Sequence, residues 1–288
     1  MKYVVSADIY LLLKKWAKQK SFILPTKEFF DELRKEFSNY MFQIFPDFEF
    51  ISEEEILGHM QMVTESSNLP CVSLDPVYFP CDFSIELTRK IDLQGVNKGL
   101  QSRFGSYSLL KQLNQLKSHG IKEVCLVDDV IFSGVFMMRV FKLLSRIGIR
   151  VPIICAGIGI QNGINLVLNP YVNPKIEIHC SKVYNEVIDE VCERDFYLGI
   201  PFSGRSLTGS KNIGLPYILP FGEPEEWASI PKSFRKAFSR FCINQTIILF
   251  KEIEKSSSKA INCSDIERKV IGQPESGSYI DFLKSISI

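Results

Sequence analysis

Along the first 66 residues, apolar side chains recur at the three- and four-residue spacing of amphipathic helices. The pattern predicts one helix over residues 8–18, a second that begins after Thr26 and a third that begins after Ser52. Thr and Ser are favoured N-cap residues, because their side-chain oxygens accept a hydrogen bond from an N–H group of the first helical turn. We therefore predict an N-terminal helical region over residues 1–66.

After Pro70 the apolar pattern changes to the short runs that are typical of strands. Two such runs cover residues 71–79 and 83–91. A polar, basic and glycine-rich stretch at 92–105 predicts a loop, and leucines at helical spacing predict a helix over 106–120. The helical start is thus followed by a region in which strands, a loop and a helix are mixed.

Three further apolar runs predict the main strands of a sheet. The first, residues 123–127, precedes an amphipathic helical stretch. The second, 151–160, is continuously apolar, as strands buried in a parallel sheet are, and the third, 175–184, alternates. Because strands separated by helices favour βαβ units, we predict an α/β fold. Its mostly parallel central sheet is flanked by helices and preceded by the N-terminal helical extension.

The chain becomes irregular after Arg194, where glycine, proline and serine are frequent. A helix is predicted over residues 231–254, because Pro231 suits a first helical turn. The polar sequence after this helix predicts a tail that is loosely held at least in part. The predicted regions are the helical region 1–66, an α/β core over 67–222, and a C-terminal helix with a polar tail over 223–288.

The amino-acid composition limits the partners and the cellular compartment that we expect for the protein. Lysine and arginine (34) balance aspartate and glutamate (33), so the overall charge gives no signal for nucleic acid or an anionic membrane. With 45% hydrophobic residues the chain can form a large core, yet no apolar run approaches the ~20 residues of a membrane span. We expect a cytoplasmic protein without a membrane partner.

The eight cysteines and three histidines show no metal-binding spacing. No C-x-x-C pair occurs. Cys125 and Cys155 lie inside apolar runs, where a thiol behaves as a small hydrophobic side chain. We expect neither a disulfide framework nor a zinc site.

Two adjacent carboxylates, Asp128 and Asp129 (the acid pair), stand where the predicted strand 123–127 ends. Neighbouring charges repel and are costly to bury, so a partner for them is expected. A Ser-Gly turn follows, in which Gly134 allows close backbone approach and the first N–H groups of the next helix can bind a phosphate. Because carboxylates accept hydrogen bonds from vicinal hydroxyls, the two features together predict a ribose 5-phosphate site. The alternative to a ligand site is that the two acids only stabilise the N-terminus of the following helix through its dipole.

The stretch VCLVDDVIFSG, residues 124–134, resembles the signature of type I phosphoribosyltransferases: a hydrophobic strand, two acids, a few residues, then Thr or Ser and Gly. The resemblance implies an α/β fold of that type and a site for phosphoribosyl pyrophosphate (PRPP) or a related nucleotide. It implies that Asp128 and Asp129 hold the ribose hydroxyls. The residues implied to wrap the 5-phosphate are Phe132, Ser133, Gly134, Val135 and Phe136.

A second stretch, LTRKIDLQGVNKG (residues 87–99), is similar to orotate-type members of the same family. In those enzymes a strand end grips pyrophosphate and a flexible basic loop closes over it. The similarity implies that Arg89 and Lys90 contact pyrophosphate and that Lys98 or Arg103 arrives when the loop closes. Mg²⁺ is the implied cofactor, held mostly by substrate oxygens. The alternative is that these basic side chains are solvated residues of a strand end and an exposed loop, with no role in binding.

Three departures from the family pattern bear on catalysis. Phe136 replaces a threonine that is common in the phosphate loop. A helix over 106–119 is inserted after Lys90. The residues between Ser73 and Arg89 leave no room for the usual pyrophosphate loop.

We expect a phosphoribosyltransferase-like protein that binds PRPP or a related ribose-5-phosphate nucleotide and, as a pentosyltransferase, transfers the phosphoribosyl group with Mg²⁺. Two alternatives stay open: a nucleotide-sensing module that performs no transfer, and a nucleotide N-glycosidase. Members of the family commonly form homodimers and close their site with a variable hood. The candidates for that hood are the N-terminal helices and the segment that contains Asp195, Ser203, Gly204 and Arg205.

Overall fold

The computed structural model describes residues 1–92, 95–169, 175–210 and 212–288, and it has the predicted α/β class. Within these ranges the strands are β1 (Lys2–Ser6), β2 (Phe48–Ile51), β3 (Cys71–Ser73), β4 (Phe83–Ser84), β5 (Leu87–Ile91), β6 (Asn97–Ser102), β7 (Glu123–Ile131), β8 (Arg150–Ile160), β9 (Glu177–Tyr184), β10 (Val187–Cys192), β11 (Arg205–Leu207) and β12 (Gly214–Leu215). The α-helices there are α1 (Ile9–Lys20), α2 (Lys27–Ile44), α3 (Glu53–Ser67), α4 (Leu109–Ser118), α5 (Val135–Arg146), α6 (Gln161–Val167), α7 (Pro224–Trp227), α8 (Arg235–Ser257) and α9 (Tyr279–Ser285). No helix in the described parts of the chain combines the length and the apolar character that crossing a bilayer requires.

The chain forms two compact units from interleaved segments. The first unit consists of Met1, Ile51–Thr88 and Leu100–Val187, and the second unit consists of Lys2–Phe50, Arg89–Gly99 and Ile188–Ile288. Neither unit is a single stretch of chain, whereas the regions predicted from the sequence are consecutive.

The first unit contains a five-stranded sheet in the order β4-β3-β7-β8-β9. Each neighbouring pair of strands is parallel, which confirms the predicted parallel central sheet. Numbered along the chain, the order is 2-1-3-4-5, a doubly wound arrangement whose direction reverses between β3 and β7. Open α/β sheets bind their ligands at this switch point, outside the carboxyl ends of the strands.

Helices cover both faces of this sheet. On one face, Val72, Leu126 and Ile154 lie side by side in register and pack into an apolar core with α4 and α5. On the other face, α3 packs on β7, β8 and β9, and the Cys155 thiol donates to the Met60 carbonyl across 3.9 Å. Successive strand residues point to opposite faces, so a continuously apolar strand such as β8 contributes to both layers.

The predicted N-terminal helices are confirmed, but the region is not helical throughout. Trp16 is buried on α1, Thr26 occupies the N-cap position of α2, and the Ser52 hydroxyl accepts the Glu55 N–H at the start of α3. The strands β1 and β2 also lie in this region. Their apolar runs, YVV and FEFI, are too short to show a period, so the sequence pattern missed them.

The stretches 71–79 and 92–105 differ from the sequence prediction. The run 71–79 is a strand only in β3, because Asp75 begins a turn that its carboxylate stabilises. The stretch 92–105, predicted to be a loop, contains β6, although Leu93 and Gln94 lie outside the described residues. Because β6 is an edge strand beside β5, it tolerates a polar sequence without an apolar period.

The remaining strands form a three-stranded sheet, in the order β10-β1-β2, and a four-stranded sheet, in the order β12-β11-β5-β6. Two buried ion pairs stabilise the second unit: Arg194 with Asp8 (2.7 Å) and Arg34 with Glu193 (3.0 Å). Both carboxylates also accept backbone N–H groups. The buried charges are therefore paired and hydrogen-bonded, as burial requires.

The polar tail is more tightly packed than its composition predicts. Cys263, Tyr279 and Leu283 are buried, and α9 packs on α8. Asn262 and Asp265 form a reciprocal capping box on the short 3-10 helix Cys263–Asp265. The prediction of a loosely held tail is wrong for these residues, because a few apolar side chains without a regular spacing anchor it.

Candidate functional site

The acid pair lies where β7 extends beyond its neighbour β3. The last residues of that ladder are Ser73 and Val127, and the Leu74 N–H still donates to the Val127 carbonyl (2.7 Å). On the other side, β8 stays paired with β7 as far as Ile131, so the prediction that the strand ends at Val127 is wrong. The acid pair therefore stands inside a strand and, at the same time, at the switch point between β3 and β7.

The two carboxyl groups of the acid pair are in contact. A hydrogen bond joins their side chains, Asp128 Oδ1 accepts the Asp129 N–H (3.1 Å), and Asp129 Oδ1 accepts the Val130 N–H (2.7 Å). Asp128 is 5% exposed. Burial, together with the charges of Asp129 and Asp75, raises the pKa of Asp128 well above its usual range. The arrangement favours a shared proton, or hydroxyl donors in its place.

A third carboxylate, Asp75, belongs to the same site, and no sequence argument selected it. It follows β3 directly, is 1% exposed and lies close enough to Asp128 to raise the pKa of that residue. Its Oδ1 accepts the Val77 N–H (3.0 Å), which fixes the turn after the strand. The sequence signal that could have identified Asp75 is the Asp-Pro step after an apolar run. Like the acid pair, it places a carboxylate at the end of a strand.

Arg103 brings a positive charge to these carboxylates. Its Nη2 lies 3.3 Å from Asp75 Oδ2, its Nε donates to the Leu87 carbonyl (3.1 Å) and its N–H donates to the Glu86 carbonyl (3.1 Å). The side chain is 11% exposed. The resemblance implies a residue that arrives when a loop closes. In the structure Arg103 follows β6 directly and is held in a buried ion pair.

The other cations implied to contact pyrophosphate, Arg89, Lys90 and Lys98, belong to the second unit. Lys98, in β6, forms an ion pair with Asp92 (2.9 Å). Lys90 lies in β5 where that strand pairs with β11, and Arg89 is exposed. The first unit thus contains the acid pair, Arg103 and the loop after β7, but not these three residues.

Residues 132–136 lead from β7 into α5. Gly134 is the N-cap residue, with φ +72°, and the first intrahelical bond runs from the Met138 N–H to the Gly134 carbonyl (3.0 Å). The N–H groups between these two residues precede that bond and point out of the helix end. Ser133 is exposed beside them. This geometry suits an anion such as a phosphate.

The same loop packs against α6 through two glycines. A Cβ atom at Gly134 would lie 2.6 Å from the Gly163 carbonyl oxygen, and one at Gly163 would lie 2.1 Å from the Phe132 carbonyl oxygen. Both distances exclude a side chain. Gly134 is thus required for packing within the protein as well as for its positive φ. Sequence reasoning gave Gly163 no role, because its partner lies far along the chain.

We expect Gly163→Ala to destabilise the protein by about 1–3 kcal/mol, because the added methyl group overlaps backbone atoms of the 132–136 loop. Gly58 in α3 is the matched control, a helical glycine at which nothing lies within 4 Å of an added Cβ atom. Gly58→Ala is expected to be neutral or to stabilise by up to about 1 kcal/mol. Urea denaturation measures both changes, and equal stability of the two variants would contradict the packing role.

In the second unit, the predicted hood residues form a turn cluster. The Asp195 carboxylate accepts the Gly204 N–H (2.7 Å), and the Ser203 hydroxyl donates to a backbone carbonyl (2.7 Å). The Arg205 guanidinium lies 4.4 Å from the centre of the Trp227 ring, a cation–π contact. Burial raises the pKa of Asp195. These contacts stabilise the local fold, and base recognition by this segment stays a prediction.

Oxygen ligands for a hard cation are present at the switch point. Among the residues that the structure describes, no group of three His, Cys, Asp or Glu side chains is arranged to hold a metal ion. One or two carboxylates are enough for Mg²⁺ when phosphate oxygens supply further ligands. Binding of Mg²⁺ at this site therefore stays a prediction, in which one or two carboxylates and the phosphate oxygens of a ligand hold the ion.

Neither models of known protein families nor curated protein sequences match this chain. The likeness to type I phosphoribosyltransferases remains that of two short stretches, residues 124–134 and 87–99. The strand order, the acid pair and the loop that follows it are the structural features that bear on function.

Proposed function

We propose that this chain is a phosphoribosyltransferase-like protein that binds PRPP or a related ribose-5-phosphate nucleotide and transfers the phosphoribosyl group with Mg²⁺. The observation that carries the proposal is the position of the acid pair. It lies at the switch point of a doubly wound parallel sheet, a few residues before the N-terminus of α5. A sugar phosphate offers hydroxyls to the acids and a phosphate to the helix end.

Asp128 and Asp129 are the proposed ribose-binding residues. Burial and the charges of Asp129 and Asp75 raise the pKa of Asp128 and so oppose its ionisation in the protein without ligand. A vicinal diol supplies two O–H donors, one for each carboxylate. Such charge-assisted hydrogen bonds are about twice as strong as neutral ones. Diol binding is therefore expected to displace the shared proton.

Residues 132–136 are the proposed 5-phosphate site. The N–H groups of the first turn of α5 and the Ser133 hydroxyl are its donors, and the helix dipole favours a negative charge there by about 0.3–1 kcal/mol. Phe136 contributes a backbone N–H group but no side-chain donor. Gly134 supports this role because its positive φ turns the chain into the helix at that point.

Transfer breaks the bond between the anomeric carbon and a pyrophosphate oxygen. The ribose becomes positively charged and the leaving group negatively charged. The acid pair favours the positive ribose, and Arg103, which lies beside Asp75, is a cation of the first unit that can favour the leaving group. Bound Mg²⁺ would neutralise phosphate charge. Contacts from Arg89, Lys90 and Lys98 to pyrophosphate are proposed from the resemblance.

A second candidate function is nucleotide sensing by the same fold without transfer. Arg103 and Lys98, the residues implied to arrive with a closing loop, are already bound to acids, Asp75 and Asp92. Phe136 offers the phosphate no hydroxyl. A site whose loop cations already form ion pairs with acids can bind a ligand, but these cations stabilise a departing pyrophosphate less.

Isothermal titration calorimetry with PRPP and Mg²⁺ tests the proposed site. We expect saturable heat with a Kd below about 1 mM, which corresponds to at least about 4 kcal/mol of binding free energy. Titrations in two buffers with different heats of ionisation should show proton release. No heat at millimolar PRPP in the presence of Mg²⁺ would contradict the proposal.

Product assays separate the candidate functions. A transferase releases pyrophosphate from PRPP when an acceptor base is present. A sensing module is stabilised against heat by PRPP or a nucleotide but releases no pyrophosphate. Free base released from a nucleotide without PRPP identifies an N-glycosidase.

A further inference from the structure

Three thiols meet in the five-stranded sheet, at the opposite end of β3 from the acid pair. Cys71, the first residue of β3, lies directly opposite Cys125 of β7, and its sulfur interacts with the thiols of both Cys125 and Cys81. The Cys71 and Cys81 thiols themselves donate to the backbone carbonyls of Leu69 (3.9 Å) and Phe79 (3.8 Å). Cys81 lies just before β4, which pairs with β3. Cys71 and Cys81 are half-buried, whereas Cys125 is buried. The central thiol thus has two thiol neighbours, of which Cys81 is partly open to solvent.

The central thiol is placed to ionise before its neighbours. The interactions with Cys125 and Cys81 lower the pKa of Cys71, and the same interactions raise the pKa of those two thiols. Cys180, which is also half-buried in this sheet, differs because burial raises its pKa to about 12. The thiolate is the reactive form of cysteine. Cys71 is therefore the thiol of this group that an oxidant should attack first.

We propose that Cys71 and Cys81 form a redox-sensitive dithiol, which a peroxide converts into a disulfide. Cys81 is the proposed partner rather than Cys125 because, like Cys71, it is half-buried, and because it lies in the connection between β3 and β4 and not inside a strand. Cys125 lies in β7, which is held between β3 and β8. Disulfide geometry requires Cα atoms within about 4.4–6.8 Å, and Cys81 lies just before β4, which pairs with β3 at a strand spacing of about 4.8 Å.

The reaction balances with one peroxide molecule. The Cys71 thiolate attacks one oxygen of hydrogen peroxide, the O–O bond breaks, and the departing hydroxide takes up a proton to form water. Cys71 is then a sulfenic acid. The Cys81 thiolate attacks the sulfenic sulfur, the S–O bond breaks, and the second water leaves. Two thiols lose two electrons, and the peroxide is reduced to two waters.

The disulfide encloses part of the candidate site. The ring that it closes contains β3 and the turn in which Asp75 binds Arg103 (3.3 Å). Oxidation thus ties down the segment that holds Asp75. The dithiol chemistry itself does not depend on which ligand the site binds, so its test can fail or succeed independently of PRPP binding.

The full chain, first reduced and then treated with equimolar hydrogen peroxide, tests the proposal. Chymotrypsin can cleave after Tyr78, between the two cysteines, so a disulfide joins two separate peptides. After remaining thiols are blocked with N-ethylmaleimide, mass spectrometry under non-reducing conditions should find Cys71 linked to Cys81. Dithiothreitol should separate the peptides. A link to Cys125, or no link at peroxide levels that oxidise other thiols, would overturn the proposal.

Variants and alkylation rates add independent readouts. Cys71→Ser and Cys81→Ser should each abolish the linked peptides, whereas Cys180→Ser, at a similarly half-buried thiol, should leave their yield unchanged. In the wild type, iodoacetamide at pH 7 should modify Cys71 at least about tenfold faster than Cys180, because rate follows thiolate content. Faster modification of Cys180 would contradict the assignment even if a serine variant fails to fold.

Discussion

Replacing both members of the acid pair, as Asp128→Asn with Asp129→Asn, is expected to weaken PRPP binding by at least about 100-fold. Each carboxylate is proposed to accept a hydrogen bond from a ribose hydroxyl, and hydrogen bonds to charged groups contribute about 1.5–3 kcal/mol each. The loss of two such bonds removes about 3–6 kcal/mol, and each ~1.4 kcal/mol is tenfold in affinity. Titration calorimetry with PRPP and Mg²⁺ measures the change.

The control for this loss is Glu123→Gln, at the opposite end of the same strand. Glu123 forms an ion pair with Arg150 and is partly exposed, so its replacement should leave PRPP affinity unchanged. Asn at 128 and 129 keeps an oxygen that can accept the backbone N–H groups now bound there, so the double variant should fold. If the double variant keeps full affinity, or if Glu123→Gln loses as much affinity, the acid pair does not bind PRPP.

The stability of Asp128→Asn has an expected pH dependence. The pKa of Asp128 is raised in the folded protein, so the folded state keeps this proton at pH values where the unfolded chain, with a pKa of about 3.9, has lost it. Wild-type stability therefore falls as the pH rises from about 4 through the folded-state pKa. Asn removes this contribution. The free energy of unfolding of the variant should thus rise relative to wild type between pH 4 and pH 8.

Arg103→Met is expected to destabilise the protein by about 3–5 kcal/mol. The change leaves the Asp75 carboxylate, which is 1% exposed, without the guanidinium that lies 3.3 Å away. An uncompensated buried charge is more costly than the ion pair that it replaces. Urea denaturation at pH 7 measures the effect. A second change, Asp75→Asn, should recover part of the lost stability because it removes the charge.

Lys98→Met is the matched control for this prediction. Lys98 and Asp92 form an ion pair with side chains that are 46% and 23% exposed, and exposed pairs contribute roughly 0–1 kcal/mol. The resemblance treated Lys98 and Arg103 alike, as cations on a closing loop. If Arg103→Met is as harmless as Lys98→Met and reduces PRPP binding alone, Arg103 acts as a loop cation rather than as a structural partner of Asp75.

Much of the central sheet could be predicted because its signals are local. The strand β8 is a continuous apolar run, and α3 begins at a serine that accepts the expected N–H group. The acid pair could be recognised for a similar reason, because two adjacent charges directly after an apolar strand do not fit a purely apolar core. Local periodicity and local chemistry were enough for these elements.

The features that the sequence did not reveal depend on distant neighbours. The strand β7 continues past Val127 because β8 pairs with it there. The residues of β7 alone do not indicate that pairing. Gly163 must be glycine because of Phe132, and Asp75 matters because it lies beside Asp128. A single sequence contains no direct record of such pairings, so these residues appear only in the folded chain.

The interleaving of the two units has a consequence for how the chain folds as it leaves the ribosome. The first unit has all its segments once Val187 has emerged, and domains tend to fold as units during synthesis. Lys2–Phe50, although translated before the main segments of the first unit, must wait for Ile188–Ile288 before its own sheet and ion pairs can form. Helices α1 and α2 are therefore made before the first unit but find their partners after it, and until then their apolar faces are exposed to chaperones.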